Sequence, residues 1–140
     1  MSIKFTSWSG PDGLENYIKF RTESKPYSGE GISIRKDKNL AILKSVDGTE
    51  FYDDDLSNPK LIKYTLFGHN GDQDPNEPKY NKKLLDPEIT KQIYVYRRIF
   101  NEQYKYIWYG EYKILNMETK IHPGKDCLER KIVILNLSKI

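Results

Sequence analysis

The apolar positions of this chain recur with a strand-like pattern in six segments and with a helical period in only one. The strand-like segments are rich in β-branched and aromatic side chains, which favour a pleated, half-buried surface. They are residues 31–34, 40–43, 61–67, 92–99, 104–115 and 131–137. This pattern predicts a mainly β (α+β) fold with one or two short helices, in which the late strands form an antiparallel barrel or sandwich.

Turn-forming residues separate these segments. Gly10-Pro11-Asp12-Gly13 precedes the helical pattern of Leu14, Tyr17 and Ile18, so we expect a short helix there. A polar connection at residues 36–39 joins the first two strands into a hairpin. Residues 68–78 form a long polar loop with two prolines, and a loop of that length in a small domain is typically functional.

The length and composition are those of one globular unit spanning residues 1–140. At 140 residues the chain matches the usual size of a single domain, and 31% of its residues are charged. No apolar run approaches the roughly 20 residues that cross a bilayer, and the first residues lack the apolar core of a signal peptide. We therefore expect an intracellular protein that does not bind membranes. Cys127 is the single cysteine, which excludes an internal disulfide and a thiolate metal site.

Charge divides unevenly along the chain. Residues 1–78 carry 10 Lys/Arg against 13 Asp/Glu, whereas residues 79–140 carry 13 against 7. A basic half is consistent with a polyanionic partner, because Lys and Arg contacts to phosphate supply the sequence-independent part of nucleic-acid affinity. Charge alone favours a merely solvated surface over a binding surface, so it is supporting evidence only.

Two metal sites can be proposed from the carboxylates. A nuclease site could combine Asp86 with the strand motif Glu111-Tyr112-Lys113, but Glu-x-Lys occurs five times in this lysine-rich chain. A calcium loop could begin with Asp72, Asp74 and Asn76, yet a lysine occupies the position of its closing glutamate. We therefore predict neither a metal nor a cofactor, and a small metal-dependent nuclease remains an alternative.

A third kind of chemistry is the capture of a nucleic-acid base. An unstacked base needs a flat apolar face on each side and polar groups along its pairing edge. Tyr52 and Tyr64 could supply the faces, and the carboxylate of Asp55 could accept a hydrogen bond from the amino group of cytosine. An ionised carboxylate would reject the carbonyl group that thymine and uracil carry at that position.

The motifs around these residues resemble, in order, those of the SRA (SET and RING associated, or YDG) domain. The likeness spans most of the chain and is closest to the SRA-like modules of microbial modification-dependent restriction systems. The matching segments are residues 20–23, 29–32 and 41–48, Tyr52-Asp53-Asp54-Asp55, Lys63-Tyr64-Thr65, Tyr80-Asn81-Lys82-Lys83, residues 93–97 and residues 108–114.

The resemblance implies a twisted β-barrel of the wider PUA-like kind that reads modified cytosine, usually 5-methylcytosine, in duplex DNA by base flipping. It implies a reader without catalysis of its own, whose nuclease lies in a fused domain or a partner subunit. By position, Tyr52 and Tyr64 would sandwich the base, Asp55 would accept from its amino group, and Thr65 would line the pocket. Asn81, Lys82 and Lys83 would lie on a loop that contacts DNA.

Two further expectations rest on charge and on fold class. Arg97 and Arg98 are candidates for phosphate contacts because they lie on a basic late strand. An RNA-binding module of the PUA-like kind would share the fold and the basic face, so it remains a second alternative.

Overall fold

A computed structural model describes residues 2–26 and 31–140, and they form seven strands and two α-helices. The elements follow in the order β1 (Ile3–Phe5), α1 (Leu14–Thr22), β2 (Ile32–Arg35), a 3-10 turn (Lys36–Lys38), β3 (Leu40–Val46), β4 (Leu61–Thr65), α2 (Lys79–Leu85), β5 (Gln92–Arg98), β6 (Tyr106–Pro123) and β7 (Glu129–Lys139). This content confirms the prediction of a mainly β fold. Neither helix could span a membrane.

The strands form one sheet in the order β2-β3-β5-β6-β7-β4, with β1 added beside β6. All pairs are antiparallel except β3 with β5. The sheet curls so that its two ends meet: the hydroxyl of Tyr64 on β4 donates to the carbonyls of Gly31 (3.1 Å) and Lys44 (3.2 Å), which lie at the opposite end of the strand order. This curl gives the barrel-like shape that the sequence predicts.

Side-chain alternation along β3 divides the core into two layers. Ala41 and Leu43 point into the curl, where they join the larger cluster with residues of β4, β5 and β7. Leu40 and Ile42 point to the outer face, where α1 covers them together with Tyr94 and Trp108. The inner layer lies behind the concave region described below.

Local sequence explains where α1 begins. Gly13 is its N-cap residue, and a β-carbon at that position would lie 2.4 Å from the carbonyl oxygen of Trp8, so only glycine fits the turn. Leu14 and Ile18 then fall on one face and are fully buried. The structure thus confirms the predicted helix, and it confirms the predicted hairpin as the antiparallel pair β2 and β3.

Three features differ from the sequence-based expectations. Residues 79–85 form helix α2, where we expected a loop, because Pro78 at the N-cap is followed by seven residues without a glycine or proline. β6 continues to Pro123, well beyond the predicted end at residue 115. β5 pairs in parallel with β3, a long-range contact that strand periodicity does not report. Gly29 and Glu30 of the matching motifs lie outside the described residues.

Candidate functional site

A cavity of about 200 Å³ opens between β4 and the loops that precede and follow it. Drug-sized ligands usually occupy roughly 300–1,000 Å³, so this volume suits a single ring system. Apolar and aromatic side chains make up most of the wall, and one carboxylate faces the space. The ring-bearing and acidic residues that line the cavity are Phe51, Tyr52, Asp54, Tyr64, Phe67 and His69.

Asp54 is the carboxylate of this cavity. Its Oδ1 accepts a hydrogen bond from the backbone N–H of Thr65 (2.7 Å), and its Oδ2 accepts from the hydroxyl of Ser45 (2.7 Å). Burial raises the pKa of the carboxyl above its ordinary value, although these hydrogen bonds oppose the shift. The hydroxyl of Thr65 also interacts with this carboxyl. Since an ionised carboxylate offers about four acceptor positions, at least one remains for a ligand.

Asp55, which the sequence motif pointed to, lies outside the cavity. Its side chain is exposed, and its Oδ1 accepts from the backbone N–H (3.0 Å) and the hydroxyl (2.6 Å) of Ser57. These hydrogen bonds hold the pKa of the Asp55 carboxyl below its usual range. The backbone of Asp55 pairs with that of Lys63, which turns its side chain away from the space that Asp54 faces.

The other predicted pocket residues do meet at the cavity. Tyr64 is only 4% exposed, and its hydroxyl is bound to two carbonyls, so this ring is a rigid part of the wall. Tyr52 is half-buried, and its hydroxyl accepts from the backbone N–H of Gly68 (3.2 Å). Thr65 is buried, and its Oγ1 accepts from the backbone N–H of Asp53 (2.9 Å). Its hydroxyl therefore shapes the loop that carries Asp54.

Three aromatic rings that the motif analysis did not identify complete the wall. His69 lies 5.0 Å from Phe51, 6.1 Å from Tyr52 and 5.3 Å from Phe67, measured between ring centroids. Phe51 is also the residue that stands three before Asp54, the same separation as Tyr52 and Asp55. Both members of the earlier pair line the cavity, whereas of the pair that the motif names only Tyr52 does.

Arg130 on β7 holds the two loops around the cavity. It is 4% exposed, and its guanidinium donates to the carbonyls of Phe51 (2.6 Å) and Gly68 (2.6 Å) and, at 3.4 Å, to Gly71. A buried cation is costly unless it is well hydrogen-bonded, and these carbonyls offset part of that cost. Both loops that supply pocket rings are thus fixed to the sheet by one side chain.

Asn81, which the resemblance places on a DNA-contacting loop, is fully buried in the structure. Its side-chain oxygen accepts from the N–H of Phe67 (3.0 Å), and its amide group donates to the carbonyls of Phe67, Asp74 and Glu77. The asparagine therefore joins α2 to the loop that carries Phe67. Lys82 is exposed on the same helix, and Lys83 is half-buried.

Replacing Asn81 by alanine is expected to destabilise the fold, because a buried N–H and three carbonyls lose their partner. Each buried polar group left unsatisfied costs about 1–3 kcal/mol, so the midpoint of chemical denaturation should fall clearly. Lys82→Ala on the next position is the matched control and should leave stability within about 0.5 kcal/mol of wild type. Equal stability of both variants would contradict the structural role of Asn81.

The two arginines of β5 differ in their surroundings. Arg97 is half-buried and donates to Asp47 (3.2 Å), so part of its charge is already neutralised. Arg98 is exposed, and its guanidinium lies 5.8 Å from the ring of Phe100. Arg98 is therefore the freer of the two for a phosphate contact.

The described residues contain no cluster of three or more His, Cys, Asp or Glu side chains arranged to hold a metal. The acids of the calcium-like loop take part in the fold. Asp72 accepts from the backbone N–H of Lys131 (2.7 Å), and Asp74 accepts from that of Asn76 (2.8 Å). Asp86 accepts from the backbone N–H of Glu88 (2.9 Å) just after α2.

No protein-family model matches the sequence, and no curated protein sequence matches it. Solved structures do match. The sulfur-binding and SRA domains of ScoMcrA, complexed with phosphorothioated DNA, superpose with a TM-score of 0.64 at 15% identity, covering 99% of this chain and 40% of that one. The restriction endonuclease MspJI, in complex with a 27-mer oligonucleotide, gives a TM-score of 0.69 at 12% identity, covering 99% and 41%.

A third match is a separate SRA domain. The SRA domain of SUVH5, in complex with fully methylated CG DNA, gives a TM-score of 0.59 at 19% identity, covering 96% of this chain and 89% of that domain. The chain thus spans less than half of the ScoMcrA and MspJI chains and nearly the whole SUVH5 domain. The curled sheet and these superpositions together show that the chain has the fold of an SRA domain.

Proposed function

We propose that this chain binds duplex DNA that contains a modified cytosine and takes the flipped base into the cavity beside Asp54. The observation that carries the proposal is a cavity of one-ring size, walled by aromatic side chains, in which a single carboxylate retains acceptor capacity. An extruded base needs stacking surfaces and partners for its pairing edge, and this cavity offers both.

Asp54 would choose cytosine over thymine. The carboxylate accepts from the exocyclic amino group of cytosine, whereas the carbonyl at the same place on thymine would face a negative charge. The apolar rings of Phe51, Phe67 and Tyr64 suit a ring substituent such as a methyl group. Tyr52 and Tyr64 supply aromatic surface for the base, and Asp54 rather than Asp55 accepts from its amino group.

The matched structures support a DNA partner. The SUVH5 domain was solved with fully methylated CG DNA, the ScoMcrA domains with phosphorothioated DNA and MspJI with an oligonucleotide. Lys82 and Arg98 are exposed cations on this chain that could contact phosphates. MspJI is a restriction endonuclease, and ScoMcrA as a whole is one too. Any cutting linked to this chain would come from a nuclease in a fused domain or a partner subunit.

The proposal is tested by titrating the chain against three duplexes that differ at one position, which carries cytosine, 5-methylcytosine or 5-hydroxymethylcytosine. A single-stranded RNA of the same sequence is a fourth ligand. We expect a modified duplex to bind at least about tenfold more tightly than the unmodified one, and all affinities to fall with added salt. Equal affinity for the three duplexes would remove the reader function, and a preference for RNA would favour the RNA-binding alternative.

A further inference from the structure

The outer part of β6 has an open edge. From residue 113 to Pro123 this strand pairs only with β7, because β1 and β5 pair with its first half at residues 106–112. Within residues 2–26 and 31–140 no backbone hydrogen bond reaches the other side of this stretch. Residues 115–121 are all exposed. An open edge of this length is a template for another strand.

The side chains along this edge have an unusual apolar content. Met117 is 49% exposed and Ile121 is 56% exposed, and Thr119 lies between them on the same face of the strand. The opposite face carries Glu118 and Lys120, which contact Lys63 (2.8 Å) and Asp53 (2.5 Å) of their own chain. The side chains of Glu118 and Lys120 remain 45% and 54% exposed, so each can meet a second partner.

The sequence of the edge is self-complementary in one register. When a strand pairs antiparallel with its own copy, one residue must face itself, because the backbone groups of two opposite residues must either both point to the shared edge or both point away from it. With Thr119 facing Thr119, Glu118 faces Lys120 and Met117 faces Ile121, each pair occurring twice by symmetry. Centring the pair on Glu118 or on Lys120 would instead place like charges opposite each other, which is destabilising.

We propose that two copies of this chain associate through β6, in antiparallel register with the two-fold axis at Thr119. The backbone hydrogen bonds of the two edges and the burial of Met117 and Ile121 supply the affinity. The Glu118–Lys120 pairs select the register and contribute less to affinity, because exposed ion pairs are weak. The interface is isologous and therefore closes as a dimer.

Charge reversal tests both the surface and the register. Glu118→Lys places lysine against Lys120, and Lys120→Glu places glutamate against Glu118, so each variant alone should dimerise at least about tenfold more weakly than wild type in sedimentation equilibrium. An equimolar mixture of the two variants should recover the dimer, because both opposite-charge pairs then form between unlike chains. Circular dichroism of each variant confirms that the fold is retained.

Disulfide trapping locates the axis independently. In a Cys127→Ser background, Thr119→Cys should form a covalent dimer under mild oxidation, because residues directly opposite have β-carbons about 4.5–5.5 Å apart. Met117→Cys is the control, since the two copies of that residue would lie roughly 13 Å apart along the strands and cannot be bridged. A monomer at every concentration, a dimer indifferent to both charge reversals, or equal cross-linking of the two cysteine variants would overturn the proposal.

Discussion

Replacing Asp54 by asparagine is expected to reverse the base preference of the cavity while the fold is kept. The amide oxygen can still accept from the N–H of Thr65, and the amide nitrogen can donate to the hydroxyl of Ser45, which accepts as readily as it donates. The second amide hydrogen then faces the base. This N–H is a donor facing the donor amino group of cytosine, which is unfavourable, whereas it can donate to the carbonyl of thymine.

The expected loss for modified cytosine is about 1–3 kcal/mol, which is roughly fivefold to more than a hundredfold in affinity. It is measured with duplexes that place 5-methylcytosine or thymine at one position opposite guanine, and the ratio of the two affinities is compared between proteins. Asp55→Asn is the matched control: the neighbouring carboxylate is exposed and bonded only to Ser57, so its ratio should equal that of wild type. If both variants shift the ratio alike, Asp54 does not read the base.

The raised pKa of Asp54 gives the same experiment a second readout. As the pH falls towards that pKa, the carboxyl gains a proton and loses acceptor capacity, so wild-type preference for modified cytosine should decline before an ordinary carboxyl would titrate. The free energy of unfolding should change in the opposite direction and increase as the pH falls. Because the folded state binds the proton more tightly than the unfolded state, this group makes the protein more stable as the pH falls through the window above the ordinary carboxyl pKa of about 3.9. Asp54→Asn should show neither change.

Tyr64→Ala is expected to destabilise the fold, so that a loss of binding by this variant would not report on base stacking alone. The ring belongs to the inner core, its surface is 4% exposed, and its hydroxyl bridges two carbonyls across the curl of the sheet. Truncation of a buried aromatic side chain costs about 3–5 kcal/mol, which is a large share of the stability of a small domain. Chemical denaturation measures this loss directly.

Tyr52→Ala separates stacking from stability. Tyr52 is half-buried at the cavity and makes one hydrogen bond through its hydroxyl, so this variant should remain folded at room temperature. Loss of base–aromatic stacking should then lower affinity for a modified duplex by about 1–3 kcal/mol. If Tyr52→Ala binds as wild type does, this ring is not a stacking surface. If Tyr64→Ala is as stable as wild type, the ring does not hold the curled sheet together.

The sequence motif points to Asp55, one residue after the carboxylate that lines the cavity, and the physical reason for the difference is the course of a loop. Residues 47–60 connect β3 to β4 without strand periodicity, so alternation could not say which side chains point inward. Phe51 with Asp54 and Tyr52 with Asp55 have equal spacing. The hydrogen bonds of Asp54 to Ser45 on β3 and Thr65 on β4 decide between them.

The burial of Asn81 could not be predicted for a different reason. An asparagine among lysines is typical of a polar surface segment, and nothing local marks it as buried. Its burial depends on three backbone carbonyls that come from Phe67, Asp74 and Glu77, and these converge only when the long loop folds back over α2. Arg130 is similar, because its partners at Phe51 and Gly68 lie about sixty to eighty residues away in the chain.

Local pattern alone determined the mainly β content, the helix after Gly13, the β2–β3 hairpin and the aromatic, acidic character of the region around residues 51–65, because periodicity and turn chemistry act over a few residues. Only the tertiary structure decided the parallel pairing of β3 with β5, the choice of Asp54 as the carboxylate of the cavity, the burial of Asn81 and the open edge of β6. Each of these depends on contacts that local pattern does not report, namely strand pairing for β3, β5 and β6 and the folding of loops onto the strands and onto α2 for Asp54 and Asn81.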